Sequence, residues 1–410
     1  MKPDIYYFNP TCELAVANGS ANYMAPAGLV RFEKELCTLI GLLAKPKDIV
    51  LVDHKPSQKY IEQLEYVGFQ TSEYHPAEDL LNDTRFLSAK LGFLYPWGWS
   101  PAVHKLFLPF KAGCSPEFLN SPVAVWNEIH RELYSRKSSL SILKQILEKC
   151  NRDTLLSIKD LPVICGSHKE INSLQSKWGK VIVKSPWSAS GRGLQFLRPN
   201  EYNQTNQQII GGFLKQQGYV VAQPWHDKQM DLSFQFFSHT DGKIEFMGLT
   251  TFKTDSAGGY EGNFIQELPP DLQPDLIYFI RDNFDDIKNI LLRVLAASNY
   301  STDHYGWIGV DALIFRSSEG SLKFHPCLEI NCRFTMGAIA LKLRDHLAEG
   351  SVGEFRIERG KNGHFFHFCQ EMVVKNPPIV ANGKLVEGFL PLTPVETDNC
   401  FGAFLSVNRK

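Results

Sequence analysis

The sequence predicts an α/β chain of mixed (α+β) character: a parallel α/β unit first, then antiparallel strand pairs backed by helices. Three observations predict it. Short β-branched runs at Ile5–Phe8 and Ile49–Val52 enclose Phe32–Ala44, which has helical apolar spacing, and Tyr60–Val67 repeats that spacing after them. Later strand-like runs come in adjacent pairs joined by small or polar residues, as in Val181–Val183 with Leu194–Leu197. Two long segments, Glu128–Lys149 and Leu272–Ser298, read as covering helices; the second repeats Ile277, Ile280, Phe284, Ile287, Leu291 and Leu295 on one face.

At 410 residues the chain suffices for two or three domains with a substantial core. A net charge of -1 argues against nucleic acid or an anionic membrane as partner. The 9 cysteines form no CxxC pair and read as reduced thiols, which points to a reducing, cytoplasmic setting. The start, MKPDIYYFNPTCELA, lacks the apolar core of a signal peptide, and no apolar run reaches the length of a membrane span. The expected partners are small molecules; the oligomeric state stays open, with a dimer among the options.

Gly306–Met336 carries the most chemistry. Asp311 lies in one apolar strand, and Glu329 and Asn331 lie in the next. A spacing of two puts Glu329 and Asn331 on the same face, and Arg333 continues it. Two carboxylates and an amide suit Mg²⁺, which fills its other positions with phosphate oxygens and water. Asp311 alone would equally be a solvated acid on a sheet rim.

Val181–Leu197 reads as strand, small-residue loop, strand. Lys184 ends the first strand, and the loop holds Ser188, Ala189, Ser190, Gly191, Arg192 and Gly193. Backbone N–H groups in such a loop can cradle phosphates, with the lysine adding a point charge. It is neither a P-loop nor a dinucleotide GxGxxG. By itself it would be an ordinary turn.

Gly218–Phe237 has a strand at Tyr219–Gln223, a Pro224-Trp225 break and a second strand at Leu232–Phe237. Proline leaves ladder groups unpaired, free to read a purine edge, and Asp231 can hold ribose hydroxyls. A hairpin with a polar turn is the plainer account.

In this order the three segments resemble the ATP-grasp superfamily. The resemblance rests on Lys184 with the Ser188–Gly193 loop, Gln223-Pro224 followed by Asp231, Asp311 on a Gly-x-x-Gly-Val-Asp strand, and Glu329-x-Asn331-x-Arg333, over roughly residues 125 to 345. It implies an N-terminal domain (1–122) on the substrate side, linker helices with a lid (123–225), and a catalytic core with a C-terminal extension (226–410). That is, a pre-ATP-grasp-like α/β domain followed by a two-lobed ATP-grasp domain with antiparallel sheets. It implies ATP with Mg²⁺, or Mn²⁺ in its place, as cofactors. Lys184, Ser188, Ser190, Gly191 and Gly193 would hold the phosphates. Gln223, Pro224 and Trp225 would meet adenine and Asp231 the ribose. Asp311, Glu329 and Asn331 would hold two Mg²⁺, while Arg333 and Lys184 serve the transferred phosphoryl group. An earlier cation is implied too, at Arg136 or Lys137, with Lys137 as the expected nucleotide contact. Asp231 stands where many relatives carry Glu, and Trp225-His226 in the hinge changes the adenine packing.

The implied activity is ligation: a carboxylate takes the γ-phosphoryl group and an amine, or a thiol, attacks the acyl phosphate. The alternatives are a small-molecule kinase, separated by needing no second nucleophile, a non-catalytic nucleotide-binding module, and an unrelated α/β binding protein, which nucleotide binding would exclude. Elsewhere, Asn9, Glu13 and Asn18 are candidates for substrate contact or simple helix caps. His304 and Lys253 are candidate bases. Trp97 and Trp99 suggest domain packing, the SAGGYEGN tip near Lys253 is a closing or free loop, and His364–Lys410 reads as strands and turns.

Overall fold

In a computed structural model describing residues 2–409, except 151, 189, 190, 200, 266, 267 and 270, the strands fall into three sheets. The first joins β1 (Ile5–Tyr7), β2 (Ile49–Val52), β3 (Glu73–Pro76) and β4 (Leu94–Pro96) in the parallel order β3-β2-β1-β4. The single helix expected over Phe32–Ala44 is instead an α-helix, Ala27–Glu35, and a 3-10 turn, Cys37–Leu43. Thr38, Ile40 and Gly41 propagate an α-helix poorly, and a Cβ on Gly41 would meet the Tyr74 hydroxyl at 2.5 Å.

The second sheet joins β5 (Val163–Cys165), β6 (Val181–Lys184), β7 (Leu194–Leu197) and β8 (Val220–Pro224) in the antiparallel order β5-β8-β6-β7. Its inner face buries Val181, Val183, Leu197, Val220 and Ala222 against helices His168–Trp178 and Gln204–Gln217. Strand alternation then turns Ile182 and Lys184 to the opposite face.

The third sheet takes nine strands: β9 (Asp227–Ser238), β10 (Ile244–Thr254), β11 (Tyr260–Phe264), β12 (Gly306–Arg316), β13 (Leu322–Asn331), β14 (Ser351–Arg359), β15 (Ile379–Ala381), β16 (Lys384–Pro391) and β17 (Phe401–Arg409). Their order is β13-β12-β9-β10-β11-β14-β17-β16-β15, antiparallel throughout. Helix Pro274–Ala296 lays Ile280, Ile287, Leu291 and Leu295 into its core.

The plainer alternative of a hairpin across Pro224-Trp225 does not form: β8 belongs to the second sheet and β9 to the third, so Trp225 and His226 cross between layers. The Trp225 amide bonds the Lys180 carbonyl at 3.0 Å, which fixes the crossing. His364–Lys375 is a helix, not a strand. Phe365, Phe368, Cys369 and Met372 recur at helical spacing and pack on Phe389 and Phe404. The C-terminal strands β16 and β17 extend the third sheet itself.

Candidate active site

A cleft of about 640 Å³ lies between the second and third sheets. One end is apolar and aromatic: Ile182, Leu194, Phe196, Trp225, His226 and Leu313 line it. Phe196 and Trp225 sit 5.1 Å apart, and the His226 ring stacks on Phe315 at 4.0 Å. Burial, then the nearby Lys184, push the His226 imidazole down to about 4, so it is neutral at pH 7. Gln223 shares this wall because its register partner on β6 is Ile182. Pro224 does not line the cleft among the described residues.

Lys184 follows toward the middle. It is 5 % exposed, and its ammonium has no hydrogen-bond partner among the described residues. Burial, then the Arg136 charge, lower it to about 8, while Glu329, Asp311 and Asp231 pull the other way. Arg136 stands beside it. Ser135 caps helix Arg136–Lys149, placing Arg136 in its first turn. The guanidinium donates to the Ser185 carbonyl at 2.7 Å, the Ser188 hydroxyl at 2.9 Å and Glu329 at 3.0 Å. Lys137 is exposed and does not line the cleft. Of the two candidates Arg136 lines the cleft: one residue along a helix is a turn of 100°, enough to point Lys137 at solvent.

The oxygen donors meet as expected. Asp311 is the register partner of Glu329 on β13 and of Ser233 on β9, so the three form a row across three strands. Asp311 accepts from the Ser233 hydroxyl at 2.7 Å and from the Asn331 amide at 3.0 Å. Burial, then Glu329, push the Asp311 carboxyl up to about 7. No group of three His, Cys, Asp or Glu side chains comes together among the described residues, so the donors are two carboxylates and one amide. That fits a magnesium ion sharing phosphate oxygens. The raised Asp311 is a carboxylate short of positive charge, which a cation would supply.

Ser233 and Gln235 were not anticipated. Gln235 donates to the Ser233 hydroxyl at 2.8 Å and accepts from Thr335 at 2.7 Å. Asp231, Ser233 and Gln235 alternate on β9, the same spacing that singled out Glu329 and Asn331. Asp231 lines the cleft, 8 % exposed, and accepts from Lys228 at 2.6 Å and Thr254 at 3.2 Å.

Arg333 lies just past β13 and donates to the Asn331 amide oxygen at 2.8 Å and the Phe334 carbonyl at 3.0 Å. Its Nε pairs with Glu13 from the first unit. Burial opposes the guanidinium charge, but Glu13, with Cys12 and Glu329 adding to it, raises Arg333 above its ordinary range and holds it protonated. The pair crosses a tight joint: the Phe334 amide bonds the Trp97 carbonyl at 2.8 Å, and a Cβ on Gly98 would press Arg333 Cβ at 3.1 Å. Trp97 lines the cleft, while Trp99 is buried in the first unit's core. Asn9 is occupied structurally, donating to the Gly98 carbonyl at 2.8 Å. Asn18 is exposed at its helix end.

In the loop after β6, Ser188 is buried against Arg136, and Gly193 packs on the Ser185 and Ser188 hydroxyls. Gly191 lines the cleft with φ +77°; a Cβ there would meet the Gly258 carbonyl at 2.9 Å. Ser190 lies outside the described residues. The two candidate bases are elsewhere. His304 is buried against the Trp307 carbonyl at 3.1 Å, and burial lowers it to about 4. Lys253 reaches Glu354 at 3.3 Å, and neither it nor His304 lines the cleft. Ser256, Gly258 and Gly259, from the SAGGYEGN tip, do line it.

No protein-family model matches the chain. No curated protein matches it by sequence. Solved structures do match, and the chain has the ATP-grasp fold. The biotin carboxylase domain of the Hydrogenobacter thermophilus 2-oxoglutarate carboxylase, in complex with MgADP, ADP and bicarbonate, aligns at TM-score 0.50 and 12% identity over 100% of this chain and 86% of that one. The Campylobacter jejuni biotin carboxylase–β-γ-ATP complex aligns at 0.50 and 11% over 100% and 88%. Rhizobium etli pyruvate carboxylase T882A aligns at 0.54 and 10% over 100% of this chain but 36% of its own.

Proposed function

We propose that this chain is an ATP- and Mg²⁺-dependent ligase that activates a carboxylate as its acyl phosphate for attack by an amine or a thiol. One observation carries the reading. Lys184, Arg136 and the Asp311–Glu329–Asn331 set converge on one cleft between the second and third sheets of an ATP-grasp fold. The units are taken as 1–122, 123–225 and 226–410.

In this reading the aromatic end takes adenine, with Asp231 toward the ribose. Lys184 faces the phosphates as an unshared cation; the phosphate charge keeps it protonated above its value in the free cleft. Gly191 brings the flap backbone against them. Asp311, Glu329 and Asn331 would hold magnesium, which would supply positive charge against the phosphates. Glu329 is shared with Arg136 at 3.0 Å, which ties the proposed metal ligand to the phosphate-side cation. Arg333, set by Glu13 and Asn331, faces the reacting end and steadies developing negative charge there. MgADP and an ATP species in the similar structures support the nucleotide, and bicarbonate in one supports a carboxylate-like substrate.

ATP is expected to raise the melting temperature only with Mg²⁺ or Mn²⁺ present, by mass action on the folded state. Saturating MgATP that gives neither a shift nor calorimetric heat refutes nucleotide binding. Carboxylate activation is tested by ATP-dependent hydroxamate formation when a panel of carboxylic acids is offered with hydroxylamine. A kinase would transfer the γ-phosphoryl group to a hydroxyl, releasing ADP and a phosphate ester, and would form no hydroxamate.

A further inference from the structure

The cleft continues past Asp311, Glu329 and Asn331 into a second end, away from the aromatic end proposed for adenine. Three guanidinium groups line it, from Arg192, Arg333 and Arg359. Arg333 is neutralised by Glu13. The other two donate no side-chain hydrogen bond among the described residues. Arg192 has no hydrogen-bond or ion-pair partner among the described residues. Arg359 has only Asp255, at 3.5 Å. Asp255 is itself committed to its own turn, accepting from the Ala257 and Gly259 amides at 2.8 Å.

The fold brings these like charges together. Gly191 at φ +77° seats the flap tip on Gly258 of the β10–β11 turn, and the next residue is Arg192. Arg359 ends β14, on the same side. Burial, then the Arg359 charge, lower the Arg192 guanidinium below its ordinary range, while Glu13 and Tyr23 pull the other way. Two guanidinium groups, both exposed but opening on the same cleft, offer an anion two planar sets of donors that match carboxylate and phosphate oxygens in pairs. Phe32 and Ile357 flank them and give the site an apolar wall.

We infer that Arg192 and Arg359 bind an anionic group, a carboxylate or a phosphate, on the second substrate of the ligase, whose neighbouring portion is apolar. This rests on the ligase reading for the word substrate, but the anion site stands on its own geometry.

The test uses the full chain saturated with Mg²⁺ and a non-hydrolysable ATP analogue, which fills the nucleotide end. Succinate and inorganic phosphate are then titrated separately by calorimetry, so the two anion sources are read apart. At least one is expected to bind. Arg359→Gln and Arg192→Gln should each weaken it tenfold or more. Arg359→Gln should leave analogue affinity within twofold, and Lys361→Gln, an exposed neighbouring cation, should leave anion affinity within twofold. Absence of heat from both anions at 20 mM, or affinity unchanged within twofold in both arginine variants, overturns the anion site. If the analogue itself does not bind, nucleotide binding fails instead, and the same titrations on the nucleotide-free chain decide the anion site.

Discussion

Removing the charge of Glu13 tests the joint between the first unit and the catalytic strands. Glu13 is 4 % exposed and the Arg333 side chain 14 %, so the pair is largely out of water. Breaking one side of a buried pair costs about 3–5 kcal/mol. Here Arg333 keeps the Asn331 and Phe334 oxygens, and Gln keeps the shape, so Glu13→Gln should cost about 2–3 kcal/mol, the range for hydrogen bonds to charged groups. Over 410 residues, ~2.1 cal/mol/K per residue gives an unfolding entropy near ~0.9 kcal/mol/K. The melting temperature should therefore fall by about 2–3 °C if the chain unfolds as one unit. The decisive assay is a double-mutant cycle by urea unfolding with Arg333→Met. Neighbours in direct contact should show a coupling of at least about 1.5 kcal/mol. Additivity within ~0.5 kcal/mol would mean the pair does not form in solution, and Arg333 would then lack its proposed orientation.

Glu329→Gln should lower turnover by at least about a hundredfold through lost metal, and also cost about 1–3 kcal/mol because Arg136 loses its carboxylate; full activity in a steady-state assay removes Glu329 from the metal site. Gly191→Ala should cut turnover more than stability, since φ +77° and the 2.9 Å approach to Gly258 affect only the docked flap; a loss of stability without loss of turnover would make the loop a plain hairpin. Lys184 predicts a pH effect. Its folded value, about 8, lies below the ordinary 10.5, so the unfolded chain holds the extra proton between them. That stability contribution is complete above 10.5 and is lost as pH falls to about 8, at up to ~1.4 kcal/mol per unit. The urea stability of the wild type minus that of Lys184→Met should rise from pH 8 to 10; a flat difference would show that the ammonium is not buried.

What the sequence determined by itself is what local pattern encodes. A spacing of two on a strand was enough to put Glu329 and Asn331 on one face, and the small residues between Lys184 and Leu194 were enough to mark a loop between paired strands. These features need no knowledge of what lies opposite. Tertiary structure decided the rest, because it turns on which layer a strand joins. Asp231, Ser233 and Gln235 alternate visibly, yet Ser233 and Gln235 matter only because β9 pairs with β12 and brings Ser233 opposite Asp311. Arg136 and Lys137 are equivalent as letters; the phase of a helix starting at Ser135 decides between them. His364–Lys375 misled because its aromatic run suits a strand, while packing on Phe389 and Phe404 rewards the helix. Glu13 shows the same dependence most clearly. It lies 320 residues from Arg333 in sequence, and no local pattern links the two charges until the first unit packs on β13 and gives each an ion-pair partner out of water.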